Sequence, residues 1–226
     1  MSSDRVSLEA WGDLWSRLGA RSDPRPIHQE IRRAYGEPHR HYHTLEHVSH
    51  VLELVDVARA RLARPLEVEL ALWLHDVIYH PQAGDNEARS AAYAQDLLQG
   101  GEVPSPVGER VAALILATRH VAGIGPPAVS HDTDTAYVLD VDLSILGAPE
   151  AEFDRYEAQV RREYAYRTDE EWRQGRLRVL SMFEARPRIF LTEEFGRFEA
   201  PARANLARSL ARLANQQILN GPDATP

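Results

Sequence analysis

The sequence contains neither cysteine nor lysine in 226 residues. Without cysteine there are no disulfides, no thiolate nucleophiles and no sulfur-held zinc, so His, Asp and Glu remain as the metal ligands. Without lysine all 26 fixed positive charges are arginine, and any cationic contact to phosphate must use the guanidinium fork. Long apolar runs are missing too: none approaches the roughly 18 residues of a membrane helix. The opening MSSDRVSLEAWGDLW lacks the charged start and apolar segment of a secretory signal, so the expected compartment is the cytoplasm. Positive charge is in deficit, with 34 acidic residues against 26 basic and a formal net charge of −8. That balance disfavours long nucleic acids and anionic membranes as partners.

What is present reads as helix. Val48, Val51, Leu52, Val55 and Ala58 repeat at helical spacing, and tracts around 106–118 and 204–219 behave alike. Helices are expected near 6–19, 26–35, 45–63, 66–79, 86–99, 105–120, 134–146, 149–165, 169–185 and 199–219. Pro65 suits a helix start, Gly100-Gly101 a stop, and Pro104 with Pro106 a restart. Asp85 and Asp134 could each cap the helix that follows. VAGIGPPAVSHDTD, 121–134, is the longest expected loop, and NGPDATP a frayed tail. With 43% hydrophobic residues and no long linker, the expectation is one all-α domain over 1–226, a helical bundle that can be a homo-oligomer.

The stretch ELALWLHDVIYH, 69–80, places His75 and Asp76 among Leu70, Leu72, Leu74, Val77 and Ile78. Burying two ionisable side chains costs several kcal/mol unless a partner or a metal compensates. A second His-Asp pair, His131-Asp132, lies in the polar loop, where water solvates it and a turn or capping role suffices. Only the first pair demands compensation. Two other segments put a candidate ligand on an apolar helix: His47 beside Val48, Val51 and Leu52, and Asp142 between Val141 and Leu143. Two imidazoles and two carboxylates suit a divalent ion such as Mn, Mg, Fe, Ni, Co or Zn and leave positions for water and substrate.

In order, His47, His75-Asp76 and Asp142 resemble the H…HD…D signature of the HD-domain metal-dependent phosphohydrolase superfamily, whose core is a helical bundle. RHYHTLEHV, LALWLHDVIYHP, DNEARSA, LILATRH and DVDLSILG, spanning 40–147, resemble a subgroup of small predicted HD hydrolases, and VRREYAY and EAPARANL extend the likeness into the helices of 149–219. The resemblance implies that His47, His75, Asp76 and Asp142 hold the ion, with Asp76 bridging if a second ion binds. It favours Asp142 over Asp140, because the subgroup's last aspartate directly precedes leucine. It also implies hydrolysis of a small phosphorylated substrate, a nucleotide first, with phosphomonoesters ahead of phosphodiesters.

Around that set, Arg40 is the first candidate for a phosphate clamp and Arg119 a weaker one. His43 belongs in the pocket. A local chelate between His47 and His43 or His50 is the competing arrangement. Glu87 could move protons, or simply compensate the dipole of its helix. His120 could contact a second ion or phosphate, or favour a helix C-terminus by its charge. Glu199 and Arg203, four apart, read as a structural pair. The rival functions are a non-catalytic metal-containing module that senses a nucleotide or phosphate, a di-iron oxygenase on the same scaffold, which needs further ligands, and a metal-free interaction protein.

Overall fold

The computed structural model describes residues 4–119 and 132–219. Among these residues there are ten α-helices and no strands, and no helix is long and apolar enough to cross a membrane. The chain divides into two compact units, residues 1–142 and 143–226.

The first unit is organised around α4 (Pro65–Leu74), which starts on Pro65 as the sequence predicts. From Glu67 through Leu74 every residue of α4 is buried. A helix apolar on nearly all sides needs neighbours on all sides, and α4 packs against α1 (Leu8–Arg17), α3 (Leu45–Ala58), α5 (Asn86–Gly100), α6 (Ser105–Ala117) and α7 (Thr133–Asp142). Trp11 of α1 stacks on Trp15 at 5.5 Å and meets Trp73 of α4 edge-on at 5.3 Å. The two carboxylates on α4 are paired: Glu69 with Arg5 and Arg59, each at 2.8 Å, and Glu67 with Arg64 at 3.0 Å and Arg110 at 3.1 Å. The remaining helix of this unit, α2 (Pro24–Tyr35), packs on α1.

Four local expectations are corrected. The helix predicted over 66–79 ends at Leu74, with His75 as its C-cap and Asp76 on the turn beyond. No breaker precedes Pro81, but side chains from elsewhere capture the main chain after Leu74, as described below. The helix predicted over 45–63 ends at Ala58 and tightens into a 3₁₀ turn, Arg59–Arg61. Asp85 stands at the N-cap of α5 without a side-chain capping bond. Asp134 lies inside α7, fully buried. Its carboxylate accepts from the main-chain N–H groups of Ala63 (2.7 Å) and Arg64 (3.0 Å), anchoring the approach to α4 instead of capping its own helix.

The second unit opens with a 3₁₀ turn, Leu143–Gly147, where the sequence predicts helix to 146, and continues with α8 (Glu150–Glu163), α9 (Asp169–Glu184) and α10 (Glu199–Leu219). A capping box starts α9: Thr168 Oγ1 accepts from the Glu171 N–H at 3.3 Å, and Glu171 Oε2 accepts from the Thr168 N–H at 2.9 Å. Glu157 of α8 ties the three helices by accepting from Arg176 of α9 and from Ser209 of α10. Glu199 pairs with Arg203 at 2.9 Å and also accepts from the N–H groups of Ile189 and Phe190, the structural role its spacing predicts. At Gly147 a Cβ would fall 2.6 Å from Phe198 Cβ and 2.8 Å from the Phe198 carbonyl oxygen. Gly147→Ala is therefore expected to cost about 1–3 kcal/mol, as forced overpacking does, read as a lower denaturation midpoint in urea; an unchanged midpoint would show that this turn can yield.

Candidate metal centre

Three helix ends build the centre. Thr44 starts α3 by accepting from the Glu46 N–H, and His47 follows in the first turn. His75 is the C-cap of α4, Asp76 comes next, and Asp142 is the last residue of α7. Two helix C-termini, of α4 and α7, and one helix N-terminus, of α3, carry the centre.

The side chains converge. His47 Nε2 lies 3.1 Å from His75 Nε2, and Asp142 Oδ1 lies 3.4 Å from the first and 3.5 Å from the second. Asp76 Oδ2 is 3.1 Å from His75 Nε2 and 4.0 Å from His47 Nε2. His47, His75 and Asp142 each offer a ligand atom within 4.8 Å of the others, so this group could hold a metal ion. Bonds of about 2.1 Å separate neighbouring donors by roughly 3.0 Å in an octahedron and roughly 3.4 Å in a tetrahedron, with opposite octahedral donors about 4.2 Å apart. The observed spacings among His47, His75 and Asp142 fall in that range.

His75 is prepared for the role. Its Nδ1–H donates to the Leu72 carbonyl at 2.9 Å, which orients the ring with Nε2 facing the cluster. That bond also satisfies one of the carbonyls orphaned at the end of α4, and Tyr35 Oη satisfies another by donating to Trp73 O at 2.9 Å. Burial opposes charge on His75, yet the Asp76 and Asp142 carboxylates outweigh it and raise its pKa well above the ordinary histidine value. Burial likewise works against the Asp76 carboxylate, but His75 and His43 prevail and lower its pKa. Burial dominates at His47, whose pKa is lowered. The field that attracts a proton to His75 is the field that would attract a divalent cation.

The other sequence-predicted residues divide. Arg40 has a fully buried side chain, and its donors are engaged: Nε on Glu37 at 3.0 Å, Nη1 on Asp76 O at 2.6 Å and His43 O at 3.3 Å, Nη2 on Val77 O at 2.9 Å. Its guanidinium lies between the rings of Tyr35 and Tyr79. In place of the anion clamp expected from the sequence, Arg40 is an internal strut. His43 precedes α3, stacks on Tyr79 at 4.2 Å and stands 6.2 Å, ring to ring, from His47. Glu87 is half-buried in the first turn of α5. Arg119 is exposed and donates to Gly84 O at 3.1 Å. Asp140 is fully buried and is not part of the grouped ligands. Asp132 accepts from Thr135 Oγ1 at 2.7 Å and from Arg110 at 2.9 Å at the start of α7, in keeping with a capping role. His120 and His131 lie outside the described residues.

Sequence reasoning missed Tyr35, Ser90, Asn86 and His39 as parts of this region. Ser90 and Asn86 do stand in the block DNEARSA, which was a signal for their importance though not for their task. Comparison with known proteins yields no matching family model, no matching curated protein and no matching solved structure.

Proposed function

We propose that the protein is a metal-dependent phosphohydrolase of the HD type, acting on a small phosphorylated metabolite, a nucleotide foremost, with a phosphomonoester as the preferred bond. The observation that carries this reading is the meeting of His47, His75 and Asp142 from three separate segments at donor spacings that suit one ion, with Asp76 beside His75. The motif blocks in the sequence supply the reaction class.

A divalent ion held there by His47, His75 and the carboxylates would supply Lewis acidity toward a phosphoryl oxygen and lower the pKa of water enough to give a hydroxide nucleophile near neutral pH. The two ligand carboxylates balance the charge of such an ion, so the site does not repel an anionic ester as a carboxylate-rich site would. His75 keeps its Nε2 directed inward through the bond to Leu72 O. His43, stacked on Tyr79 and close enough to influence Asp76, is assigned to the edge of the site. Glu87 is assigned the role of a base or proton donor behind the ligands.

The test is metal analysis of untagged protein followed by phosphatase and phosphodiesterase assays with Mn, Mg, Ni and Co. Stoichiometric metal and metal-dependent release of phosphate support the reading. Tight binding of nucleotide with no turnover under any ion would instead identify a sensing module. Within the same assays Glu87→Gln is expected to retain the ion and lower kcat by about 10²–10⁴-fold, the usual contribution of a positioned proton-transfer group. An unchanged rate would return Glu87 to compensating the dipole of α5.

A further inference from the structure

Five consecutive residues beyond α4 have their main chain held by side chains from other segments. Arg40 donates to Asp76 O and Val77 O at 2.6 and 2.9 Å. Ser90, fully buried, accepts from the Ile78 N–H at 3.1 Å and donates to Ile78 O at 3.2 Å. His39 Nε2–H donates to Tyr79 O at 2.9 Å. Asn86 accepts from the His80 N–H and donates to His80 O, both at 3.0 Å. Backbone groups outside helices and sheets need partners when shielded from water; those of Asp76 to Tyr79 find them in buried or part-buried bonds, and the exposed His80 is held by Asn86 six residues on. The stretch so fixed begins at a candidate ligand.

We propose that Arg40, Ser90 and Asn86 are positioning residues that hold the Asp76–His80 main chain where the Asp76 carboxylate meets His75, so that divalent-cation affinity depends on bonds made outside the ligand set. This rests on the metal reading above. Its physical basis is that ligand orientation is set by the groups behind the ligands, whose loss typically weakens metal affinity by about 10–100-fold. Both hydrogen bonds of Ser90 go to the Ile78 main chain, so its removal tests the held stretch and not a ligand side chain.

The experiment is Mn²⁺ titration by calorimetry, with the visible spectrum of the Co²⁺ form and the melting temperature of the metal-free protein, for the wild type, Ser90→Ala, Asn86→Ala and Arg40→Lys. Ser209→Ala is the matched control: it removes an equally buried hydroxyl bonded to Glu157 at 2.8 Å in the second unit. Ser90→Ala and Asn86→Ala are expected to weaken Mn²⁺ binding by about 10-fold or more and to shift the Co²⁺ bands. Ser209→Ala is expected to lower the melting temperature alone. Should Arg40→Lys fail to fold, the other two variants carry the result. Wild-type binding with unchanged affinity and spectrum in both Ser90→Ala and Asn86→Ala overturns the positioning role and leaves the metal reading intact, whereas a wild-type chain that binds no Mn²⁺ overturns both.

Discussion

Asp76→Ala is expected to remove the divalent ion and metal-dependent phosphoester turnover together, while Asp132→Ala leaves both close to wild type. The two aspartates follow a histidine in the same dipeptide, so their chemistry is matched and only their places differ. Asp76 Oδ2 sits 3.1 Å from His75 Nε2. Asp132 is spent on Thr135 and Arg110. Loss of an anionic ligand removes a bond to the ion and leaves the cation short of compensation, so activity should fall by several orders of magnitude, to the assay background. Removing Asp132 costs an ion pair that is partly exposed, worth about 1 kcal/mol or less. Metal content by elemental analysis and turnover measured on the same preparations decide the matter. Equal behaviour of the two variants would mean that the buried pair is a structural feature and the ion, if any, lies elsewhere.

The largest effect on stability is expected at Asp134. Its carboxylate is fully buried and takes hydrogen bonds from Ala63 N, Arg64 N and, at 2.8 Å, Arg110 Nη2. Asp134→Ala leaves two main-chain donors and a guanidinium without that acceptor just before the buried helix α4. Arg110 keeps Glu67 and Asp132 as partners, but each main-chain donor left without its acceptor typically costs about 1–3 kcal/mol. At roughly 2–4 °C per kcal/mol for a chain of this size, the melting temperature should fall by about 10 °C. Thermal unfolding followed by circular dichroism reads it. A fall of only a degree or two would show that water or a neighbouring side chain replaces the carboxylate.

Helical periodicity located the elements because apolar stripes at that spacing have few other uses. Their ends were less legible. Nothing between Leu74 and Pro81 forbids helix, yet α4 stops at Leu74 since Arg40, Ser90, His39 and Asn86 offer its next main-chain groups partners that no local pattern announces. Asp134 fails as a cap for the same reason: its partners are some seventy residues away in sequence. The candidate ligands were readable because a buried ionisable residue is conspicuous in an apolar stretch. Arg40 was conspicuous too, but an arginine beside a candidate phosphate site reads as a clamp until its donors are counted, and here they face main-chain oxygens and Glu37. The block DNEARSA, noticed for its resemblance, owes two of its residues to holding the segment behind Asp76.

Residues 47, 75 and 142 stand far apart along a chain that has no covalent cross-link. On the proposed reading, one ion gripping all three would close two long loops at once and withdraw their freedom from the unfolded chain, a tether of the kind that small secreted proteins obtain from cystine. Occupancy would then add to the stability of the folded chain, and a chelator would loosen this chain much as a reductant loosens those.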